Sequence, residues 1–293
     1  MNKNRNVYLR FADLTFHLHG WIPPANSGSF VNCFLTEAST ADYDVFVYQN
    51  ASYPVPADAV LLQDAPFRKV WQRGSRYWTC LYTIIDLHLW NYAVFHFDAR
   101  TPQTMQFQIF RPECIFSLES ILSSIWMESL LLAKGKAVLH AATISYHGKA
   151  VIFSAPSGTG KSTQAELWHQ YQSAEIINGD RIALLPRDGE LYASGLPFSG
   201  SSDICKNRIL PVRSVVFLSQ AKENSIEPMR PITAIKNLTS QISVQSWRKE
   251  DISASVQMAE FVFSHVPVYH LACLPDFGAV ETLKAALDAN TEE

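Results

Sequence analysis

One segment does most to determine the architecture of this chain, and it reads Val151-Ile152-Phe153-Ser154-Ala155-Pro156-Ser157-Gly158-Thr159-Gly160-Lys161-Ser162-Thr163. The three apolar residues at its start indicate a short buried strand, the small residues after them indicate a tight loop, and a helix is predicted to follow. Ala155 to Ser162 match the phosphate-loop pattern, with Ala155 at the position where glycine is usual. The segment therefore predicts an α/β fold in which a strand leads through this loop into a helix.

The residue types in this loop suit a polyphosphate. Small residues let several backbone N–H groups turn inward around phosphate oxygens, and the start of the helix adds a partial positive charge. We expect Lys161 to reach the β- and γ-phosphates and Ser162 to offer its hydroxyl to Mg²⁺. The predicted ligands are therefore a nucleoside triphosphate and Mg²⁺; ATP is the expected nucleotide, and the loop does not distinguish it from GTP. The predicted nucleotide-binding residues are Ala155, Pro156, Ser157, Gly158, Thr159, Gly160, Lys161, Ser162 and Thr163.

A phosphate-bound metal also needs an acidic ligand, and the candidate is Asp180. It lies in the polar sequence Asn178-Gly179-Asp180-Arg181, which interrupts the apolar run 176–185. Such an interruption is typical where the end of a strand borders a functional site. We predict that Asp180 binds the metal together with Ser162, or acts as the base for an attacking hydroxyl; a plain turn is the alternative. Arg181 either stabilises the transferred phosphate or forms a structural salt bridge.

A second segment with small residues and cations follows, at Gly195 to Ser202 and then Lys206. It either closes over the γ-phosphate or is an ordinary loop, and Lys206 is a predicted nucleotide-binding residue in the first case. His17 and His19 share one face of a predicted strand. The sequence shows no third ligand beside them, so no metal site is predicted there.

The chain divides into stretches of different pattern. Residues 1–112 contain 21 of the 35 aromatic residues and short alternating apolar runs, which predict an antiparallel β-rich domain with an accessory or substrate-recognition role. Residues 113–136 are predicted to be a connecting helix, because apolar residues recur at helical spacing over 117–134. Residues 137–293 alternate between strand and helix patterns and are predicted to be the nucleotide-binding domain.

The composition excludes several classes of protein. The chain has 293 residues, 24 Lys and Arg and 27 Asp and Glu, so a nucleic-acid binder with a broad basic surface is not expected. A hydrophobic fraction of 47% excludes disorder of the whole chain. No apolar run reaches the roughly 18 residues of a membrane span. The N-terminus lacks the apolar region of a secretory signal.

The cysteines and the charged residues bear on compartment and assembly. The five cysteines are an odd number without a C-x-x-C pair, which favours free thiols in a reducing, cytoplasmic environment. The charged fraction of 17% is below the roughly 25% that is usual for soluble proteins. This low fraction is compatible with a homo-oligomer.

Residues 137–210 resemble the kinase domain of HPr kinase/phosphorylase and are also similar to the nucleotide-binding half of ATP-dependent phosphoenolpyruvate carboxykinase. The resemblance is carried by Leu139-His140-Ala141-Ala142, Gly148 to Phe153, Ser157 to Thr163 and Gly179-Asp180. It implies a P-loop domain of that type and an ATP-dependent phosphotransferase. The acceptor would be a hydroxyl of an unidentified protein, peptide or small molecule.

The resemblance also implies roles for single residues. His140 takes the place of the family's histidine upstream of the loop, Lys161 that of its phosphate-binding lysine, and Asp180 that of the second acid in an Asp-Asp pair. These three are the catalytic residues it predicts. Gly179 stands in the place of the first acid of that pair, which is the general base in HPr kinase. Two functions therefore stay open, a kinase and a nucleotide-binding regulatory module without efficient catalysis.

Overall fold

The computed structural model of the chain describes residues 5–23, 29–50, 54–115, 117–198, 200 and 203–289. The chain forms two compact units, Met1–Met127 and Glu128–Glu293. The fold is mixed α/β, with two large sheets and six α-helices within the described residues. In that part of the chain, no helix has both the length and the apolar character that crossing a membrane requires.

The first unit is built on a nine-stranded sheet with the order β3-β1-β2-β4-β9-β8-β7-β6-β5. Its strands are β1 (Arg5–Phe11), β2 (Leu14–Gly20), β3 (Leu35–Thr36), β4 (Tyr43–Gln49), β5 (Val60–Ala65), β6 (Arg68–Arg73), β7 (Arg76–Ile85), β8 (His88–Asp98) and β9 (Thr104–Ile109).

The sequence predicts an antiparallel sheet here, and the structure corrects this at β4. That strand runs parallel to both of its neighbours, β2 and β9, whereas the other pairings are antiparallel. Parallel neighbours need a long connection. The chain passes through the 3₁₀ helix Phe30–Phe34 and β3 between β2 and β4, and through β5 to β8 between β4 and β9.

Strand β2 shows how alternation fixes the two faces of this sheet. Leu14, Phe16 and Leu18 are buried, and His17 and His19 between them point to the opposite face because side chains alternate along a strand.

The single helix predicted over 113–136 is wrong. The segment contains two short helices, α1 (Leu118–Leu122) and α2 (Met127–Leu132). After α1, the hydroxyls of Ser123 and Ser124 both donate to the carbonyl of Ser120, a local bond that competes with helix continuation. Trp126 is then fully buried, and its indole N–H donates to Thr79 Oγ1 at 2.8 Å. Docking this ring takes the chain off the helical path.

The second unit contains an eight-stranded sheet and four longer helices. Its elements are β10 (Ala137–Tyr146), β11 (Lys149–Ser154), α3 (Lys161–Gln172), β12 (Glu175–Asn178), β13 (Arg181–Arg187), β14 (Glu190–Gly195), β15 (Ile209–Gln220), β16 (Ser225–Pro228), α4 (Pro231–Gln241), α5 (Lys249–His265), β17 (Val268–Cys273) and α6 (Phe277–Ala289).

Two long strands, β10 and β15, organise this sheet. Strand β11 pairs with both of them, while β13 and β14 connect their other ends, so the pairings close a circuit of five strands. Strands β11, β15 and β17 run parallel. Their carboxyl ends therefore meet at one edge of the sheet.

Strand β11 is buried on both faces, which explains its uninterrupted apolar sequence. Ile152 packs into a core that includes Leu238 of α4 and Val262 of α5. Phe153, on the other face, packs into a core with Trp168 of α3 and Leu283 of α6. These two cores fix the end of β11 and the start of α3, and so they fix the two ends of the loop between them.

Candidate functional site

A cavity of about 290 Å³ opens where β11, the loop after it and the start of α3 meet the end of β12. We call it the loop cavity. Its lining residues are His140, Ser157, Gly158, Gly160, Lys161, Ser162, Thr163, Gly179 and Asp180. The structure thus brings together the three predicted catalytic residues and both predicted metal ligands.

The 155–162 loop depends on two glycines with left-handed backbone. Gly158 has φ +79° and Gly160, directly before α3, has φ +120°. A Cβ at either position would meet open space, so the backbone angle, which only glycine adopts without strain, is the constraint. The amides of the first turn of α3 have no partner within the helix. This end of α3 therefore offers N–H donors and a partial positive charge.

Lys161 lies across the loop. Its side chain is only 8% exposed, and Nζ donates to the carbonyls of Ala155 at 2.9 Å and Pro156 at 3.2 Å. Burial lowers the pKa of Lys161, and the negative charge of Asp180 opposes that shift. The cavity therefore has an ammonium at its base. Ala155 and Pro156 contribute carbonyl oxygens to the lysine and do not line the cavity.

Asn178 holds the turn that presents Asp180, a role that the sequence analysis missed. Its Oδ1 accepts from the backbone N–H groups of Asp180 and Arg181, both at 2.9 Å. Its Nδ2 donates to the carbonyls of Leu196 and Phe198. An asparagine two residues before the turning point is a recognised sign of such a turn. Its second pair of bonds, to residues 18 and 20 positions away, cannot be deduced from the sequence.

The Asp180 carboxylate has partners on both sides. Arg181 Nε lies 3.2 Å from Oδ2, and His140 Nδ1 lies 3.5 Å from Oδ1. Arg181 also reaches Oε1 of Glu128 at 3.3 Å and does not line the loop cavity. The structure therefore favours the salt-bridge alternative for Arg181, which positions Asp180.

His140 is oriented by strand pairing. It stands directly opposite Arg181 in the pairing of β10 with β13, and its Nδ1 lies 3.1 Å from the backbone carbonyl of Asp180. Because a carbonyl oxygen can only accept, Nδ1 carries the proton and Nε2 keeps its lone pair. Burial, and then the charge of Lys161, lower the pKa of His140, while Asp180 opposes the shift. The imidazole is therefore neutral near pH 7.

This pKa shift predicts a pH dependence of stability. Because its pKa is lower in the folded state, His140 takes up a proton in the unfolded chain first as the pH falls below about 6.5. Its contribution to the unfolding free energy is thus complete above that pH and is lost below it. We expect wild type to lose more unfolding free energy than His140→Gln between pH 7 and pH 5.5 in urea titrations. If the unfolding free energy of wild type and of His140→Gln changed equally with pH, the lowered pKa of His140 would be contradicted. His147→Gln, which removes an exposed histidine, is the control.

Lys206 does not line the loop cavity. Its ammonium is 2.9 Å from Oε1 of Glu175 at the start of β12, and Arg208 bonds the other carboxylate oxygen. The prediction that Lys206 contacts a nucleotide therefore gains no support from its position. Of the predicted closing segment, Ser199, Ser201 and Ser202 lie outside the described residues.

Gly200 in that segment packs directly against Asp180. It has φ +56°, and a Cβ there would lie 2.7 Å from Asp180 Cβ and 2.8 Å from its Cγ. A side chain at this position would displace the carboxylate. The sequence places this glycine in a loop, and its contact with Asp180 is seen only in three dimensions.

A second cavity, of about 450 Å³, adjoins the loop cavity on the side of β15 and β17. We call it the side cavity. It shares Gly158, Gly160 and Thr163 with the loop cavity, and its other lining residues are Thr159, Gln164, Leu218, Gln220, Ala221, Cys273, Leu274 and Pro275. It lies at the carboxyl ends of the parallel strands β15 and β17, an edge where ligands commonly bind in α/β proteins. The sequence does not predict this cavity, because its lining residues are distant from one another along the chain.

Comparisons with known proteins match one family model, and they also match chains among the solved structures. The family model described as SynChlorMet cassette protein ScmC matches residues 108–273. The HPr(Ser) kinase/phosphatase from Coxiella burnetii is 14% identical, with a TM-score of 0.33, over 53% of this chain and 99% of that chain. None of the curated proteins matches. The family match spans more than half of the sequence, including the 155–162 loop and Asp180, and the chain belongs to the ScmC family.

Proposed function

We propose that this protein is an ATP-dependent phosphotransferase that passes the γ-phosphate of ATP to a hydroxyl group of its acceptor. The observation that carries the proposal is the loop cavity, where a glycine loop, the start of a helix, a buried lysine, a histidine and a carboxylate line one space. Positioning and charge neutralisation account for most of the catalysis of phosphoryl transfer, and these residues supply both.

The polyphosphate would lie along the 155–162 loop. There it meets the N–H groups at the start of α3, which favour negative charge. Lys161 would exchange its bonds to the carbonyls of Ala155 and Pro156 for bonds to phosphate oxygens. Because an ammonium forms stronger hydrogen bonds with anionic oxygens, this exchange is favourable.

The nucleoside would occupy the side cavity. Gly158, Gly160 and Thr163 line both cavities, so a ligand whose phosphates contact the loop extends directly from one cavity into the other. The side cavity combines apolar Leu218, Leu274 and Pro275 with the amides of Gln164 and Gln220. Such a mixture suits a flat heterocycle with polar edges.

The donors in the loop cavity fit Mg²⁺. Ser162 offers a hydroxyl and Asp180 a carboxylate, and Mg²⁺ prefers oxygen ligands of this kind in combination with substrate phosphates. Bound there, Mg²⁺ would neutralise negative charge on the phosphate oxygens. The contacts of Arg181 and His140 with Asp180 hold the carboxylate in place for this role.

The acceptor's proton would pass to His140. Among the described residues that line the loop cavity, Asp180 is the one carboxylate. Gly179 stands where HPr kinase, which the sequence resembles, has an acid. With Asp180 on the metal, Nε2 of His140 is a lone-pair acceptor on a neutral imidazole. As the acceptor oxygen bonds to the γ-phosphorus, its proton moves to Nε2, and the bond from phosphorus to the bridging oxygen breaks to release ADP.

Nucleotide turnover tests this proposal. Purified protein is incubated with Mg²⁺ and γ-labelled ATP, alone and with hydroxyl-containing small molecules or proteins, and ADP and the labelled products are quantified. We expect Mg²⁺-dependent ADP formation. If ATP binds but no ADP forms over hours with any acceptor, including water, the phosphotransferase proposal is wrong.

That outcome would favour the second candidate, a nucleotide-binding regulatory module. The observation behind it is that Gly179 lines the loop cavity and, as a glycine, offers no carboxylate to act as a general base. A module of this kind needs the loop and Lys161 for binding and has no need of a proton acceptor. Tight binding of ATP without turnover, unchanged in His140→Gln, is its expected result.

Gly200→Ala tests whether the position of Asp180 matters. The added Cβ would lie 2.7 Å from Asp180 Cβ, and small displacements of a catalytic group cost up to about 100-fold in rate. We expect ADP formation to fall about 10- to 100-fold while nucleotide affinity changes little. Gly189→Ala is the matched control, since it also has positive φ but open space around its Cβ. Equal effects of the two variants would contradict the argument.

A further inference from the structure

Three side chains with metal-binding atoms converge on the first unit's sheet. They are His17 and His19 of β2 and Asp44 of β4. The sequence shows the two histidines but no third ligand, because Asp44 is brought beside them by strand pairing. In the parallel pairing of β2 with β4, His17 stands directly opposite Asp44.

The donor atoms are close to the spacing that a metal ion requires. Nε2 of His19 lies 2.7 Å and Nδ1 of His17 lies 3.2 Å from Oδ1 of Asp44. Donors about 2.1 Å from a tetrahedral ion lie about 3.4 Å from one another. All three donor atoms lie within 4.8 Å of one another, so modest side-chain movements would bring them to three corners of a tetrahedron.

The two imidazoles are held in orientation by aromatic neighbours. Tyr8 stacks on His17 with 3.8 Å between ring centroids, and Phe46 stacks on His19 at 4.4 Å. Apolar rings around a ligand set fix its geometry and limit access of solvent. Side-chain exposures of 12% for His17, 24% for His19 and 39% for Asp44 leave one side open, as a fourth ligand from water requires.

We propose that His17, His19 and Asp44 bind one divalent transition-metal ion of the zinc class, with water as a further ligand. Two imidazole nitrogens and one carboxylate oxygen select such an ion over Mg²⁺ or Ca²⁺, which prefer oxygen ligands throughout. The site lies in the first unit and does not rest on the proposed phosphotransferase activity. The alternative is a hydrogen-bonded cluster in which the carboxylate bridges two imidazoles.

Metal titration of the full, tag-free chain distinguishes these alternatives. We expect Zn²⁺ to bind in calorimetry, and Co²⁺ to give the intense visible absorption of a tetrahedral complex. Asp44→Asn and His19→Gln should each weaken Zn²⁺ binding at least about tenfold. His88→Gln, which removes an exposed histidine of the same unit, is the matched control and should leave the affinity unchanged.

The Co²⁺ spectrum of wild type keeps the test decisive even if a variant fails to fold. No Zn²⁺ binding by wild type, or a Co²⁺ spectrum of the weak, octahedral kind, would overturn the proposal. Equal Zn²⁺ affinity in wild type and in folded Asp44→Asn would also overturn it.

Discussion

Lys161→Ala is expected to lower the rate of ADP formation at least about 100-fold and to weaken ATP binding. Its ammonium is buried at the base of the loop cavity, where low solvent exposure strengthens its attraction to phosphate oxygens. Removing one preorganised donor of this kind typically costs about 10²–10³ in rate. Steady-state ADP release at saturating Mg²⁺, with ATP varied, measures both effects.

Lys149→Ala is the matched control for this variant. Lys149 is an exposed lysine at the start of β11, the same strand that leads into the loop, and it lines neither the loop cavity nor the side cavity. We expect it to leave turnover unchanged. Lys161→Ala with wild-type turnover would show that the observed activity arises elsewhere. A circular dichroism spectrum matching wild type confirms that the loss is not unfolding.

Asp180→Asn is expected to reduce turnover about 10²- to 10³-fold while leaving ATP affinity within about tenfold of wild type. The change keeps the shape of the side chain but removes the charge that attracts Mg²⁺. The Mg²⁺ concentration for half-maximal rate should therefore rise. Because Arg181 and His140 then face a neutral amide in place of a carboxylate, the ordering of the turn weakens as well.

The comparison that isolates this effect uses Asp188→Asn. Asp188 lies in the turn between β13 and β14, outside both cavities. Its replacement by asparagine removes the same charge as Asp180→Asn does. ADP release is measured across a Mg²⁺ series for both variants and wild type. An Asp180→Asn protein with the wild-type Mg²⁺ dependence would rule out Asp180 as the metal ligand.

The local part of the candidate site could be predicted from the sequence. The strand, the glycine loop and the helix are contiguous, so the pattern from Val151 to Thr163 contains all that is needed to place them. Asp180 could also be predicted from the sequence, because polar residues that interrupt an apolar strand indicate where the strand end borders a site. His140 was named only through the resemblance, and its orientation comes from the pairing of β10 with β13.

Contacts between distant segments are what the sequence did not reveal. Lys206 closely follows the segment from Gly195 to Ser202, which the sequence offers as a closing loop over the γ-phosphate. Its ammonium nevertheless pairs with the carboxylate of Glu175. Asp44 joins His17 and His19 through a parallel pairing of strands that the alternating pattern does not distinguish from an antiparallel one. The side cavity is formed by the ends of β15 and β17, whose adjacency depends on strand order.

The helix predicted over 117–134 failed for a related reason. The apolar residues recur at helical spacing, and both short helices follow it. The interruption depends on two serine hydroxyls that bond back to Ser120 and on Trp126, which is buried against Phe97 and Thr79. Periodicity describes which residues are apolar, whereas the break is set by a tertiary contact 47 residues away.

Calorimetric titration with ATP and Mg²⁺ tests the central claim, that the 155–162 loop holds the phosphates of a nucleotide, most directly. Wild type and Lys161→Ala are compared under identical conditions, with Lys149→Ala alongside. The claim predicts one ATP per chain for wild type and Lys149→Ala, and affinity at least about tenfold weaker for Lys161→Ala. Wild type that binds no ATP at millimolar concentration, or Lys161→Ala that binds it equally well, would contradict the claim.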